Sequence, residues 1–144
     1  MTAAIAGTGL CHAVTALALR PAAVVGRRLL ALGGLATLLV AVFPLPAGGG
    51  GSVAHSSAAV VAFVLLSVWP VPARRYGSGV PWGLRSSVTL RAATALSALT
   101  LLFFATSSLG APGVGLTERL AAGAQALWPL AVVWSATRRR VTSG

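Results

Sequence analysis

The chain has 144 residues, 56% of them hydrophobic and only 8% charged, with a mean hydropathy of +0.88. A soluble domain carries about a quarter charged residues, so this composition excludes an ordinary soluble globule and belongs with membrane proteins. Eleven basic residues, all arginine, stand against one acid, Glu118, for a formal net charge of +10.

Nucleic-acid binders gather their positive charge on one face or stripe. Here the arginines fall in short clusters between apolar runs: Arg20, Arg27 and Arg28; Arg74, Arg75 and Arg85; Arg138, Arg139 and Arg140. That is membrane-flanking charge, and it excludes a nucleic-acid partner in favour of the lipid bilayer. Arginine without lysine, beside abundant Ala, Gly and Val, suggests the coding bias of a GC-rich bacterial genome. The lone Cys11 offers no intramolecular disulfide and no metal knuckle. Bulky Leu10 before it fits poorly with lipoprotein processing, and the N-terminus lacks the positive region of a signal peptide, so the first run reads as a retained helix.

Five apolar runs follow in order, at about 3–19, 29–45, 53–71, 87–109 and 115–136, within a single domain over 1–144. A spanning helix needs about 20 apolar residues, and unpaired backbone groups in lipid leave helices as the form for each run. The expectation is an all-α, five-helix transmembrane bundle. Its connections alternate: arginine-rich after the first run, neutral "PAGGGGS" after the second, basic "ARRYGSGVPWGLRS" after the third, neutral "GAPGVG" after the fourth. Arginine marks the cytoplasmic side, which puts the N-terminus outside and the C-terminus, with a basic tail at 137–144, inside the cytoplasmic membrane of a bacterium. Trp69, Tyr76, Trp82 and Trp134 sit near that inner boundary, as an aromatic belt does, while Phe43, Phe103 and Phe104 lie toward the outer ends. Arg91, about one turn inside the fourth run, reads as an anchor extending back to the inner surface. Pairs of small residues, Ala3 with Gly7, Gly7 with Cys11, Ala93 with Ser97 and Ala122 with Ala126, are spaced for close helix contact. Pro129 removes one backbone hydrogen bond from the last helix and is expected to bend it.

The outer half of the membrane then holds His55, Glu118 and Arg119, with His12 deeper. At about 1.5 Å of rise per residue, His55 and Glu118 lie at similar depth, roughly 3 and 4.5 Å in, whereas His12 lies at about 13 Å. His55, Glu118 and Arg119 form the candidate polar cluster, fixing the third and last helices together. The depth mismatch disfavours a metal triad or a bis-histidine haem that enlists His12, so no metal or cofactor is expected. Ser56 and Ser57 adjoin His55 but face other directions on a helix, which disfavours a hydrolase, and no catalytic residue is assigned. Glu118 also complements the positive end of the last helix, with Thr117 as a candidate cap.

Three landmarks carry a resemblance: "VAVFPLP" with Phe43-Pro44 closing the second helix, "VAHSSAAVVAF" with His55 opening the third, and "GLTERL" with Trp128 beyond it. With these the chain resembles the uncharacterised bacterial multi-pass membrane family known as domain of unknown function 998. The resemblance implies an all-helical bundle and carries no established activity. It also implies six helices, so this chain looks as if it lacks the first, through a truncated or misassigned start. Family members place an aspartate soon after the Phe-Pro pair, where Leu45, Pro46 and Ala47 stand here, removing an acidic partner for His55.

The functional expectation is a structural or accessory membrane protein with a membrane-protein partner or a second copy of itself. The alternative is an enzyme or lipid-headgroup binder in which Arg119 holds a phosphate and His55 with Glu118 moves protons. A small transporter ranks lower, since the sequence has no visible inverted repeat or broken helix pair.

Overall fold

The structure, a computed structural model, describes residues 2–46, 48 and 50–142, with side chains described as far as Arg138. Among these residues the chain forms six α-helices and one 3-10 turn. They are α1 (Thr2–Ala18), α2 (Val24–Val42), α3 (Val53–Val68), the single turn α4 (Pro70–Ala73), the 3-10 turn Trp82–Leu84, α5 (Ser86–Ser108) and α6 (Val114–Thr142). Among the described residues the one extended pairing is an isolated bridge between Arg75 and Arg85. The architecture is all-α, as the apolar runs require.

Element ends differ from the sequence expectation for reasons visible in the contacts. α2 begins at Val24 rather than near residue 29, so Arg27 and Arg28 are helical. Arg27 reaches back, its Nε donating to the Ala16 carbonyl at 2.8 Å and Nη2 to the Leu17 carbonyl at 2.9 Å. The last carbonyls of a helix lack partners and carry partial negative charge, so this cation caps α1 while riding on α2. α2 ends at Val42 rather than residue 45, ahead of Pro44 and Pro46, which cannot continue the ladder. The third run divides at Trp69: Pro70 has no N–H for the Leu66 carbonyl, and it opens α4 at a position that needs none. The expected tail is helical through Thr142, with the Arg138 guanidinium 4.6 Å over the Trp134 ring. The side chains of Arg139 and Arg140, together with Ala47 and Gly49 of the neutral loop, lie outside the described residues.

All three arginine clusters are brought to one end of the bundle. Ala23 N–H donates to the Ala73 carbonyl at 3.1 Å and Arg75 Nε to the Pro21 carbonyl at 3.0 Å, joining the first and third connections. Gly83 N–H donates to Ser135 Oγ at 3.3 Å, joining the third connection to the last turns of α6. The apolar core sits at this basic end, where Leu30, Trp69, Leu84 and Val132 are fully buried.

Glycine permits close helix crossings, at positions the small-residue spacing did not single out. A Cβ on Gly9 would stand 2.7 Å from the Gly34 carbonyl oxygen, and a Cβ on Gly34 would stand 2.7 Å from the Gly9 oxygen. α1 and α2 therefore cross backbone to backbone. Gly7 faces open space, and Ala122 and Ala126 are exposed.

Burial is inverted relative to a soluble domain. Leu10, Leu17, Leu35, Leu101, Leu127 and Leu130 are more than half exposed, while His12, Ser67, Thr89, Thr100, Gln125 and Ser135 are buried. Three helices, Val24–Val42, Ser86–Ser108 and Val114–Arg138, are long and apolar enough to cross a membrane, and Thr2–Ala18 and Val53–Val68 are shorter apolar helices. An exterior of this kind belongs in a bilayer.

Gly34→Ala pushes a methyl group against immovable backbone and is expected to cost about 1–3 kcal/mol, read as a lowered melting temperature in detergent. Gly7→Ala, meeting nothing, should leave that temperature unchanged or raise it, since alanine favours helix over glycine by about 1 kcal/mol. Equal melting of the two variants would contradict the crossing.

Candidate functional site

The most connected polar site lies inside the bundle, and it is built on Pro129. A helical proline has no N–H, so the carbonyl four residues earlier loses its partner. In α6 that carbonyl belongs to Gln125. His12 of α1 supplies the substitute, with its Nε2 3.3 Å from the Gln125 carbonyl oxygen. A carbonyl can only accept, so Nε2 carries the proton. Nδ1 of the same ring is buried without a partner.

The side chain of Gln125 turns the other way and joins two further helices. Its Nε2 lies 2.9 Å from the Phe63 carbonyl, 2.9 Å from Ser67 Oγ and 3.0 Å from Thr100 Oγ1. The Phe63 carbonyl accepts only, which fixes this end of the amide as the donor. Ser67 Oγ donates to the Phe63 carbonyl at 2.8 Å and lies 2.9 Å from Thr100 Oγ1. One consistent arrangement has Thr100 donating to Ser67 and accepting from Gln125. The residue thus binds α1 through its backbone and α3 and α5 through its amide. Ser67, Thr100 and Gln125 are each at most 4% exposed. Phe63, Phe103 and Phe104 pack beside this network, with ring centroids 5.0 to 5.9 Å apart.

Chemically this is a lock. Ser67 is bonded to a carbonyl, a hydroxyl and an amide, and the His12 proton goes to a backbone oxygen, so neither group is drawn toward the other as base and nucleophile. Interhelical hydrogen bonds of this kind contribute about 0.6–2 kcal/mol each in a membrane.

The residues expected from the sequence lie elsewhere. His55 is in the first turn of α3, where its own N–H is capped by Ser52 Oγ at 3.3 Å. Its Nδ1 lies 2.8 Å from the Phe43 carbonyl, an unpaired group at the end of α2. The ring therefore closes the α2–α3 connection. Glu118 and Arg119 are exposed on α6, and neither has a hydrogen bond or ion pair among the described residues. No polar contact links either to His55 among those residues. Glu118 is the fifth residue of α6, past its first turn, so it does not complement the helix start as expected. Thr117 is no cap: its Oγ1 lies 2.9 Å from Thr106 Oγ1 and pins α5 to α6. Ser67, Thr100 and Gln125 escaped the sequence reading because they are uncharged. The signal available was a glutamine four residues before a proline inside an apolar run.

His12→Phe strips the Gln125 carbonyl of its partner and is expected to lower stability by about 1 kcal/mol in mixed micelles. Pro129→Ala restores a backbone donor, so the same His12 substitution should cost less in that background. Equilibrium unfolding of the four proteins measures the coupling, and strictly additive effects would contradict the proline-histidine pairing.

Over residues 1–135 the chain matches the family described as Protein of unknown function (DUF998). No curated protein and no solved structure matches it. Two of the landmarks behind the resemblance, Phe43-Pro44 and His55, are the partners of the hydrogen bond that closes the α2–α3 connection. With its helical bundle and its match over nearly the whole length, the chain belongs to the DUF998 family.

Proposed function

We propose that the chain is a multi-pass protein of the bacterial cytoplasmic membrane and serves there as a structural or accessory bundle for other membrane components. The observation that carries this reading is the inverted burial, with many large leucines and valines outside and hydrogen-bonded polar side chains such as Ser67, Thr100 and Gln125 inside. In lipid that distribution lowers the free energy, because every interior polar group paired with protein avoids hydrocarbon.

Five crossings are proposed, by α1, α2, α3 with α4, α5 and α6. At about 1.5 Å per residue the shorter helices α1 and α3 reach about 25 Å, close to the ~30 Å hydrocarbon core. The basic end faces the cytoplasm, which puts the N-terminus outside and the C-terminus inside. This is supported by the joining of the first and third connections and the last turns of α6 at one end. At the outer end, Glu118 and Arg119 are exposed and offer a polar contact to a membrane partner, with His55 holding the neighbouring loop in place.

Single cysteines test the orientation in a Cys11→Ser background. A membrane-impermeant maleimide applied to the outer surface of spheroplasts should label Gly50→Cys, and should label Ser78→Cys only after the membrane is permeabilised. The reverse pattern would overturn the orientation, and recovery of the chain in the soluble fraction would overturn the membrane reading itself.

A further inference from the structure

A groove of about 540 Å³ runs between α5 and α6, opening on the outer surface of the bundle. Its floor is alanine, with Ala92 and Ala95 on α5 and Ala124 and Ala131 on α6. Leu96 and Leu127 also line it. Trp82 and Trp128, whose rings meet edge to face at 6.1 Å, line it too, and Trp82 belongs to the 3-10 turn of the basic end. Arg91 is its one charged residue.

Arg91 shares its lack of a polar side-chain partner among the described residues with Arg20, Arg28 and Arg85, and is set apart by its place in the groove. Arg27 is bonded to the carbonyls of α1, Arg75 to Pro21 and Arg74 to the Tyr76 hydroxyl. Arg91 is exposed and forms no hydrogen bond or ion pair among the described residues. It lies in the second turn of α5, about 7.5 Å along the helix from Ser86. An arginine at that depth extends its guanidinium to the level of lipid phosphates, and its planar fork matches a phosphate with two parallel donors. A trough of small residues leading away from it toward the membrane centre has the shape and polarity of an acyl chain's path.

We propose that this groove binds one anionic phospholipid of the inner leaflet. Its phosphate rests on Arg91 beside Trp82, and one acyl chain lies along the alanine floor toward Leu96 and Leu127. Charge selects this occupant. A chain with formal net charge +10 and a single carboxylate repels a second copy of itself and attracts negative headgroups. The assignment rests on the membrane reading above.

The test adds equal amounts of phosphatidylglycerol and phosphatidylcholine to the delipidated full chain in detergent and counts bound lipid by native mass spectrometry. One phosphatidylglycerol per chain is expected, favoured about five-fold over phosphatidylcholine, the effect of one arginine near an anionic surface. Arg91→Gln should bring the two lipids to parity, and Arg91→Lys, which keeps the charge and loses the planar fork, should keep only part of the preference. Ala95→Trp, which fills the trough, should abolish the bound lipid of either kind. Circular dichroism of each variant confirms that the bundle is intact.

Parity in the unmodified chain, or a preference that survives Arg91→Gln, would overturn the proposal. So would displacement of the lipid by excess inorganic phosphate, which would mark a free-phosphate site, or a dimer that Ala95→Trp dissociates. Flotation of the same protein with liposomes separates the two levels. A chain that does not float sinks the membrane reading, whereas one that floats but shows parity sinks the groove assignment alone.

Discussion

The absent N–H of Pro129 is the constraint on which the interior depends. In water a carbonyl freed by a proline finds a solvent molecule, but in the middle of an apolar bundle it needs a donor from the protein. His12 provides that donor from α1. The same residue whose backbone is freed, Gln125, sends its amide to Phe63, Ser67 and Thr100. One local defect in α6 is thereby converted into contacts with three other helices. Removing His12 leaves the Gln125 carbonyl buried without its partner, which costs more than the bond contributes when it is made.

The rest of the bundle follows from similar accounting of backbone groups. The unpaired end of α1 is met by Arg27 and the unpaired end of α2 by His55. Thr106 with Thr117 holds α5 to α6 at one end, and at the other Trp82 of the 3-10 turn packs against Trp128 of α6. Side chains that look like candidates for chemistry in isolation thus act as donors to carbonyls at helix ends or at a proline. Close packing between α1 and α2 comes from glycine rather than from large side chains, as expected where lipid removes the hydrophobic drive for helix association.

Much of the architecture could be read from the sequence because hydropathy and arginine placement act over whole segments. The apolar runs became helices, and the three arginine clusters met at one end. Helix ends were less legible. The start of α2 was hidden because Arg27 looked like loop charge, and only its reach to Ala16 and Leu17 explains why it is helical. The split at Trp69 and Pro70 was available from the proline rule. The site was the least legible part. Titratable groups in the sequence point to His55, Glu118 and Arg119, whereas the interior is held chiefly by an amide and two hydroxyls that carry no charge. Pro129 was visible as a source of bending, but its consequence for Gln125 needs the partner helix, and no local pattern in α6 names His12.

The most direct test of this account is nitrogen-15 NMR of the His12 ring in the full chain, reconstituted in lipid nanodiscs. Nε2 should be protonated, with its signal correlated to the Gln125 carbonyl across the hydrogen bond, and that signal should shift when Pro129→Ala supplies the carbonyl with a backbone donor. A bare Nε2, or a ring indifferent to the proline, would show that the lock is not built on the freed carbonyl.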